Sequence, residues 1–355
     1  MKSFVYLTRR LINFRTYQGV FGAKDGCFDY IIEYLSNSKI KLDVKKYKTT
    51  TGNALVICNK KISPNVCLCG HIDVVSARVE QFRAVVKGDR LYGRGAIDMK
   101  GAVAVMVEVI KNVRPDDPSV MLILVDDEEQ SNGFSVRDIL GRLKIKPRIS
   151  IIGEQTDFNI VTKQKGVINI RLSYLGKKAH GAQPEKGVNA IEKLFEIVGR
   201  LVIQLPFNKN KGGPTCILSQ ISGGEEINSV PEHAWVTLNI RYTSKSEAGA
   251  IKNFLRIAQC DKNLKVTSVV KPCFEFDSRY VEAERLKVVV ERRLHRKVGF
   301  ISGNTGSDAK YFSEAGLPAV VFGPVGRNYH ADNEWVSIKS LGKYYQILNS
   351  FINNN

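Results

Sequence analysis

The sequence predicts an α/β protein whose mostly parallel sheet carries helices on both faces and is interrupted by a small α+β domain. Two observations support this fold class. Apolar runs alternate with helix-like patterns towards both ends of the chain, as they do in a covered, largely parallel sheet. Runs in the middle alternate apolar and polar residues, as half-exposed antiparallel strands do. The length of 355 residues allows two domains.

The first part of the chain predicts buried strands, each followed by polar residues. Residues 4–35 have helix-like spacing around an irregular middle, and residues 101–113 predict a further helix. The predicted strands are residues 66–74, 120–125 and 149–152. In a parallel sheet, side chains that follow such strands point into one open crevice.

The middle of the chain predicts an inserted domain. Strands are expected at residues 167–175, 216–221, 234–242 and 264–270, with helices at 188–203 and 246–260. This strand-helix-strand-strand-helix-strand order is typical of a small α+β domain with both helices on one sheet face. We therefore expect a catalytic domain formed by residues 1–166 and 278–355, and an inserted lid or dimerisation domain at residues 167–277.

Composition limits the possible partners. The net charge of +18 comes from 53 Lys and Arg against 35 Asp and Glu. These charges are spread along the chain without a module of aromatic and basic residues, so we expect no specific nucleic-acid partner, only weak attraction for acidic metabolites. No apolar run is long enough to cross a membrane, and Arg9 and Arg10 end any signal-like core early. The seven cysteines include no C-x-x-C pair, which favours free thiols and a cytoplasmic location.

Five short segments carry candidate chemistry. They are residues 70–73, 91–101, 126–129, 153–156 and 328–334. Each also has a structural interpretation when taken alone: Asp98 as a helix N-cap, for example, or the four acids at 126–129 as a solvated loop. Together they supply two imidazoles and three carboxylates, from His71, Asp98, Glu129, Glu154 and His330. Such a set suits zinc, with cobalt or manganese as substitutes, and a shared carboxylate would hold two ions close together.

With these segments in view, the chain resembles, over nearly its whole length, the metallopeptidase and deacylase family of succinyl-diaminopimelate desuccinylase, acetylornithine deacetylase, aminoacylase and glutamate carboxypeptidase. The segments Gly-His-Ile-Asp-Val-Val, Gly-Arg-Gly-Ala-Ile-Asp-Met-Lys-Gly, Asp-Glu-Glu and Gly-Glu-Gln-Thr occur in the family's order. Three segments depart from the pattern. Gln155 stands where the family often has Pro, residues 303–308 differ from Gly-Gly-Thr-Ser-Asp, and residues 163–166 lack the arginine pair of desuccinylases.

The resemblance implies a role for each matching residue. His71 and Glu154 would bind one metal ion, Glu129 and His330 the other, and Asp98 would bridge the two, with a cis peptide bond after it. Asp73 would orient His71, and Glu128 would be the general base. In the inserted domain, His180 would stabilise the oxyanion, and Asn228 and Arg241 would bind the substrate carboxylate.

The function implied is hydrolysis of an amide bond in an N-acyl amino acid, of the desuccinylase or deacetylase type. A metal-bridging water would attack with Glu128 as base, and two Zn²⁺ ions would be the cofactors. The partners implied are a small N-acyl amino acid or dipeptide and a second copy of the chain, reached by His180 across a homodimer interface. Three alternatives stay open: a dipeptidase or carboxypeptidase using the same site, an inactive binding protein on this fold, and a basic nucleic-acid-binding protein.

Overall fold

The computed structural model describes residues 2–130, 133–204, 213–303 and 305–353. The α-helices, in chain order, are α1 Ser3–Ile12, α2 Ala23–Leu35, α3 Gly101–Lys111, α4 Ser135–Leu143, α5 Ala190–Gln204, α6 Lys245–Ala258, α7 Val281–Leu294, α8 Ala309–Glu314 and α9 Ile338–Asn353. The strands are β1 Asp43–Lys48, β2 Asn53–Cys58, β3 Val66–His71, β4 Val85–Lys87, β5 Arg90–Tyr92, β6 Val120–Val125, β7 Ile149–Ile152, β8 Ile160–Gln164, β9 Gly166–Leu175, β10 Ala179–His180, β11 Thr215–Gly223, β12 Ser229–Val230, β13 His233–Tyr242, β14 Leu264–Lys271, β15 Phe274–Glu275, β16 Phe300–Gly303, β17 Ala319–Val321, β18 Gly326–Arg327 and β19 Trp335–Ser337.

The chain folds into two compact units. The first consists of Met1–Lys163, Glu275–Gly303 and Ser307–Asn355, and the second consists mainly of Gln164–Phe274. The second unit is therefore an insertion between two parts of the first. No helix among the described residues is both long and apolar enough to cross a bilayer.

A nine-stranded mixed sheet organises the first unit. Its path is β1-β2-β6-β3-β7-β17-β8-β15, with β16 paired to β8. The central strands β6, β3, β7 and β17 are parallel, and β1, β2 and β8 add antiparallel pairs around them. All residues of β3 and β6 are buried, which requires cover on both sheet faces. The α/β prediction is confirmed, and the sheet is mixed because antiparallel strands flank its parallel centre.

The helix α3 joins the sheet to the helical layer of the first unit. Its residues from Gly101 to Ile110 are all buried, and it packs against α1, α9 and the strands β3 and β6. A helix that is apolar all round belongs inside a core, which explains why this segment is nearly free of charge. It begins directly after Ala96–Lys100, a short irregular helical segment that contains Asp98, so the core fixes the position of that segment.

The second unit is a four-stranded antiparallel sheet with the order β11-β13-β9-β14. Alternate residues of β9 and β13 are buried, and they share one apolar cluster with side chains of α5 and α6. Both helices therefore cover the same face of this sheet, as the order of strands and helices along the chain predicted. The helix predicted from residue 188 begins at Ala190, because the side chain of Asn189 accepts hydrogen bonds from the amides of Ile191 and Glu192.

A small sheet in the first unit connects segments that are far apart in sequence. Its order is β18-β19-β5-β4, and β5 pairs with β19 in the register Tyr92 to Trp335. This pairing brings the segment before Asp98 next to the segment around His330. Neither this sheet nor the β1–β2 hairpin was predicted from the sequence.

Candidate active site

Three parallel strands place candidate residues at one edge of the large sheet. His71 ends β3 opposite Val125, the last residue of β6, so the acidic run 126–129 begins beside it. The strand β7 ends at Ile152, and Glu154 follows two residues later. Because parallel strands end at a common edge, residues from three separate segments meet there.

His71, Asp98 and Glu154 form the first candidate metal group. The Nε2 atom of His71 lies 3.2 Å from Asp98 Oδ1 and 3.4 Å from Glu154 Oε1. The ligand atoms of this group all lie within 4.8 Å of one another. His71 is buried, with 1% of its surface exposed, while the two carboxylates are partly accessible.

Asp98, Glu129 and His330 form the second group. His330 Nε2 lies 3.0 Å from Glu129 Oε1 and 3.2 Å from Asp98 Oδ2. Asp98 therefore directs one oxygen to each group, as a bridging carboxylate would. It does not cap the following helix, since α3 has no side-chain hydrogen bond at its N-cap. The peptide bond between Asp98 and Met99 is cis, which confirms the prediction from the resemblance.

Asp73 connects His71 with the acidic run. The Nδ1 atom of His71 lies 3.0 Å from the backbone oxygen of Asp73 and 3.4 Å from its carboxylate. The same carboxylate accepts hydrogen bonds from the amides of Glu128 and Glu129 at 3.2 and 3.0 Å. With Nδ1 engaged in this way, Nε2 is left to face the first group, which is the arrangement expected of an oriented metal-binding histidine.

The four consecutive acids have two kinds of surroundings. Asp126 and Asp127 are buried and accept hydrogen bonds from backbone amides: Asn53 for the former, and Phe134 and Ser135 for the latter. These two residues hold the loop together, so a solvated acidic loop is ruled out. Glu129 belongs to the second metal group, and Glu128 Oε1 lies 3.6 Å from Lys310 Nζ.

The electrostatics of the cluster favour a bound cation. Burial and the charge of Asp98 raise the pKa of Glu154 to about 8. Hydrogen bonds to Asp98 and Glu129 raise the pKa of His330 to about 10. A cation bound between these groups would displace the protons held by Glu154 and by the imidazole of His330. Two groups of nitrogen and oxygen ligands with one shared carboxylate therefore fit a pair of divalent ions such as zinc.

The remaining predicted residues lie in the inserted unit. His180 lies in β10, which pairs with β12 so that His180 is opposite Ser229, and Asn228 directly precedes β12. The exposed imidazole of His180 accepts a hydrogen bond at Nδ1 from the amide of Ala182, at 3.1 Å. Arg241 lies on β13, in the other sheet of this unit, and donates from Nε to Asn239. The structure thus brings His180 and Asn228 together and places Arg241 on a different sheet.

Comparison with known proteins identifies the family. Residues 67–354 match the family described as Peptidase family M20/M25/M40. The chain belongs to this family. It is 28% identical over 355 residues to the succinyl-diaminopimelate desuccinylase of Wolinella succinogenes, an alignment covering 94% of this chain and 95% of that protein. It is 26% identical to the enzyme of the same name from Aliarcobacter butzleri, over 99% of this chain and 100% of that one.

Solved structures share the family fold. The aminopeptidase PepT from Bacillus cereus superposes with a TM-score of 0.80 at 18% identity, covering 99% of this chain and 98% of that one. The M20 family metallo-carboxypeptidase Sso-CP2 from Sulfolobus solfataricus gives 0.79 at 18% identity, covering 99% of each chain. The predicted resemblance is therefore confirmed, and this M20 family member is a hydrolase of amide bonds from a metal-dependent family.

Several polar residues next to the candidate ligands were not assigned a role from the sequence. Arg94 and Glu334 form a buried ion pair at 2.8 Å, and Lys310 is a buried amine beside Glu128 and Asp308. Burial, partly offset by Lys310, raises the pKa of Asp308 to about 7. Only their position in the sequence could have indicated a role, because each lies inside or beside a segment that resembles a family motif. In the segment 303–308, Asn304 lies outside the described residues.

Proposed function

We propose that this chain hydrolyses the amide bond of a small N-acyl amino acid, as a desuccinylase-type deacylase that uses two zinc ions. The observation that carries the proposal is Asp98, whose two carboxylate oxygens face two separate groups of ligand atoms. His71 and Glu154 would complete one ion's ligands, and Glu129 and His330 the other's. Cobalt or manganese would substitute, since the ligands are all nitrogen and oxygen.

Different residues of the chain have different roles in the proposed reaction. Zinc ions, when bound, would polarise the amide carbonyl and make a nearby water more acidic. Glu128 accepts a proton from the attacking water as the water oxygen bonds to the carbonyl carbon. It then delivers that proton to the amine nitrogen as the C–N bond breaks. Asp73 supports both His71 and the backbone of Glu128, so it acts as a positioning residue.

The inserted unit would recognise the substrate. Because the amide of Ala182 donates to Nδ1 of His180, Nε2 is the ring nitrogen that can donate a hydrogen bond to a developing oxyanion. Arg241 would hold the substrate carboxylate through two parallel hydrogen bonds, with Asn228 as a second donor. A free carboxylate on the substrate is also the group that a chain of net charge +18 would attract.

A second copy of the chain is the proposed macromolecular partner. Strand β11 is at the end of its sheet within the described residues, and its side chains Ile217, Leu218 and Ile221 are exposed. The neighbouring helix α5 adds exposed Phe195 and Ile203. An apolar sheet edge of this kind is a template for pairing with another strand. A reducing, cytoplasmic location is proposed from the seven cysteines, all of which are free.

A hydrolysis screen tests the proposal. Zinc- or cobalt-loaded protein is incubated with N-succinyl and N-acetyl amino acids and with dipeptides, and the free amine is quantified. We expect turnover of one acyl class with a free carboxylate, and none of its methyl ester. Preferential cleavage of dipeptides would assign the chain to the dipeptidases instead. Metal-loaded, folded protein that cleaves no member of the panel would contradict the deacylase proposal.

A further inference from the structure

A buried ion pair joins the two segments that carry Asp98 and His330. Arg94 Nη1 donates to Glu334 Oε2 at 2.8 Å, and the two residues are only 2% and 1% exposed. Glu334 also accepts hydrogen bonds from three backbone amides: Gly95 at 3.0 Å, Ile97 at 3.0 Å and Asp98 at 3.2 Å. One carboxylate thus holds the whole turn that ends at Asp98.

Arg94 also holds the His330 loop. Its Nη2 atom donates to the backbone oxygen of His330 at 3.1 Å. Its own amide donates to the Gln81 backbone oxygen at 2.8 Å, and the side chain of Gln81 donates to the Asp332 backbone oxygen at 2.9 Å. Arg94, Gln81 and Glu334 therefore connect the loops on either side of the β5–β19 pairing, which are more than 200 residues apart in sequence.

We infer that the Arg94–Glu334 pair is a positioning device for the second metal group, fixing Asp98 and His330 at the separation that a metal ion requires. The inference rests on the proposed function, because it takes Asp98 and His330 as metal-binding residues. Hydrogen-bond partners just outside a metal's ligands set their orientation, and losing one typically lowers affinity about 10–100-fold. A planar guanidinium suits this role, since its fork bonds a carboxylate and a carbonyl at once.

The two metal groups depend on this pair to different degrees. His71 is the last residue of the buried strand β3 and is paired with β6, and Glu154 comes two residues after the buried strand β7, so neither position depends directly on Arg94. His330 lies in a loop, is 47% exposed at its side chain, and has its backbone oxygen held by Arg94. Loss of the pair should therefore weaken the group containing Glu129 and His330 more than the group containing His71 and Glu154.

The experiment is a metal titration of the metal-free full-length chain. Wild type, Arg94→Lys and Glu334→Gln are titrated with Co²⁺ and with Zn²⁺ against a competing chelator, and the Co²⁺ absorption spectrum is recorded. Lys at position 94 keeps the charge beside Glu334 but cannot bond it and the His330 backbone together. We expect the binding step that fills the group of Glu129 and His330 to lose at least about tenfold in affinity, with a changed Co²⁺ spectrum, and the other step to change less.

A matched control separates positioning from general stability. Glu108 is also a buried carboxylate of the first unit, 3% exposed, and accepts hydrogen bonds from Tyr34 and Asn112 on the helical side. Glu108→Gln should lower thermal stability without changing either metal affinity. An Arg94→Met/Glu334→Met double variant removes both charges together, so it tests the same affinity if a single variant does not fold.

The outcomes are distinct. Folded Arg94 and Glu334 variants whose two metal affinities stay within about twofold of wild type would overturn the inference. An equal loss of affinity in Glu108→Gln would also overturn it, because the effect would then be one of general stability. Wild-type protein that binds no second ion would instead refute the two-zinc proposal itself.

Discussion

At the scale of single residues, the neighbours Glu128 and Glu129 have different surroundings. Both backbone amides donate to Asp73, which fixes the turn between them. The carboxylate of Glu129 then meets His330 at 3.0 Å, while that of Glu128 lies beside Lys310. A residue outside both ligand groups but adjacent to them suits proton transfer better than metal binding.

Replacing Glu128 by Gln should abolish turnover while leaving metal binding intact. The amide cannot accept the proton of water, and loss of a general base commonly costs at least ~100-fold in rate. Steady-state kinetics and metal analysis of the same preparation check this expectation. Near-normal activity in Glu128→Gln would assign proton transfer to another group.

Replacing Lys310 by Met should lower kcat more than it raises KM. The buried ammonium lies 3.6 Å from Glu128 and 3.8 Å from Asp308, and it donates to the Ser307 backbone oxygen at 3.0 Å. Its loss would release the Glu128 side chain, and misplacing a reacting group costs roughly 100-fold. Lys310→Arg, which retains a cation, should recover part of the rate. Equal kcat in Lys310→Met and wild type would show that Glu128 needs no such support.

At the scale of elements, the parallel centre of the sheet was predictable and the small sheet was not. Strand 120–125 and strand 149–152 were predicted with the observed limits, because short, largely apolar runs are typical of parallel strands that are buried on both faces. The strand predicted at 66–74 is shorter in the structure and ends at His71. The strands β5 and β19 pair although they are more than 200 residues apart in sequence. Each has only three residues, which is too short for a pattern of apolar and polar residues to predict a strand.

The same limit applies to the candidate site. The metal-binding candidates were identified from motifs whose order along the chain is distinctive, and the structure brings all five together. Glu334 and Arg94 could not be identified in this way. One charged residue lies four positions after His330 and the other four positions before Asp98, and each alone predicts only a solvated side chain until their pairing is known. Their burial is a property of the folded chain and cannot be read from either segment alone.

Two helical glycines offer an element-scale test. A Cβ at Gly101, the first residue of α3, would overlap the backbone oxygen of Ala96. A Cβ at Gly141 in α4 would have nothing within 4 Å. Gly101→Ala should therefore destabilise the fold by about 1–3 kcal/mol through overpacking, whereas Gly141→Ala should stabilise it by ~0.5–1 kcal/mol. Denaturant unfolding measures both. Equal effects would show that the backbone between Ala96 and Gly101 has room for a methyl group.

At the scale of the whole molecule, the exposed apolar edge of β11 leads us to expect self-association. Ile217 on that edge is 59% exposed, and Ile62 in the first unit is 62% exposed, so Ile62 is a control position of similar exposure for a substitution at Ile217. Ile217→Lys should convert a dimer to a monomer in light scattering, because it puts a charge on the pairing edge. Ile62→Lys should leave the dimer unchanged. A wild-type monomer at micromolar concentration would contradict the proposed homodimer.

If His180 acts across that interface, mixed subunits should complement each other. Glu128→Gln and His180→Ala proteins, each inactive or impaired alone, would form heterodimers that contain one intact composite site. Some activity should return after subunit exchange. Verified exchange without recovery would place His180 at the site of its own chain or outside catalysis.

The most direct test of the two-zinc account is metal stoichiometry, with Asp98 as the decisive residue. Protein purified without chelator is analysed by mass spectrometry for bound zinc, alongside His330→Ala and Asp98→Ala. Two zinc ions are expected per wild-type chain, one in His330→Ala, and weak or no retention of either in Asp98→Ala, because the Asp98 carboxylate faces both groups. Folded wild-type protein that holds no zinc after exposure to excess metal, or Asp98→Ala protein that still holds two ions, would contradict the two-zinc account.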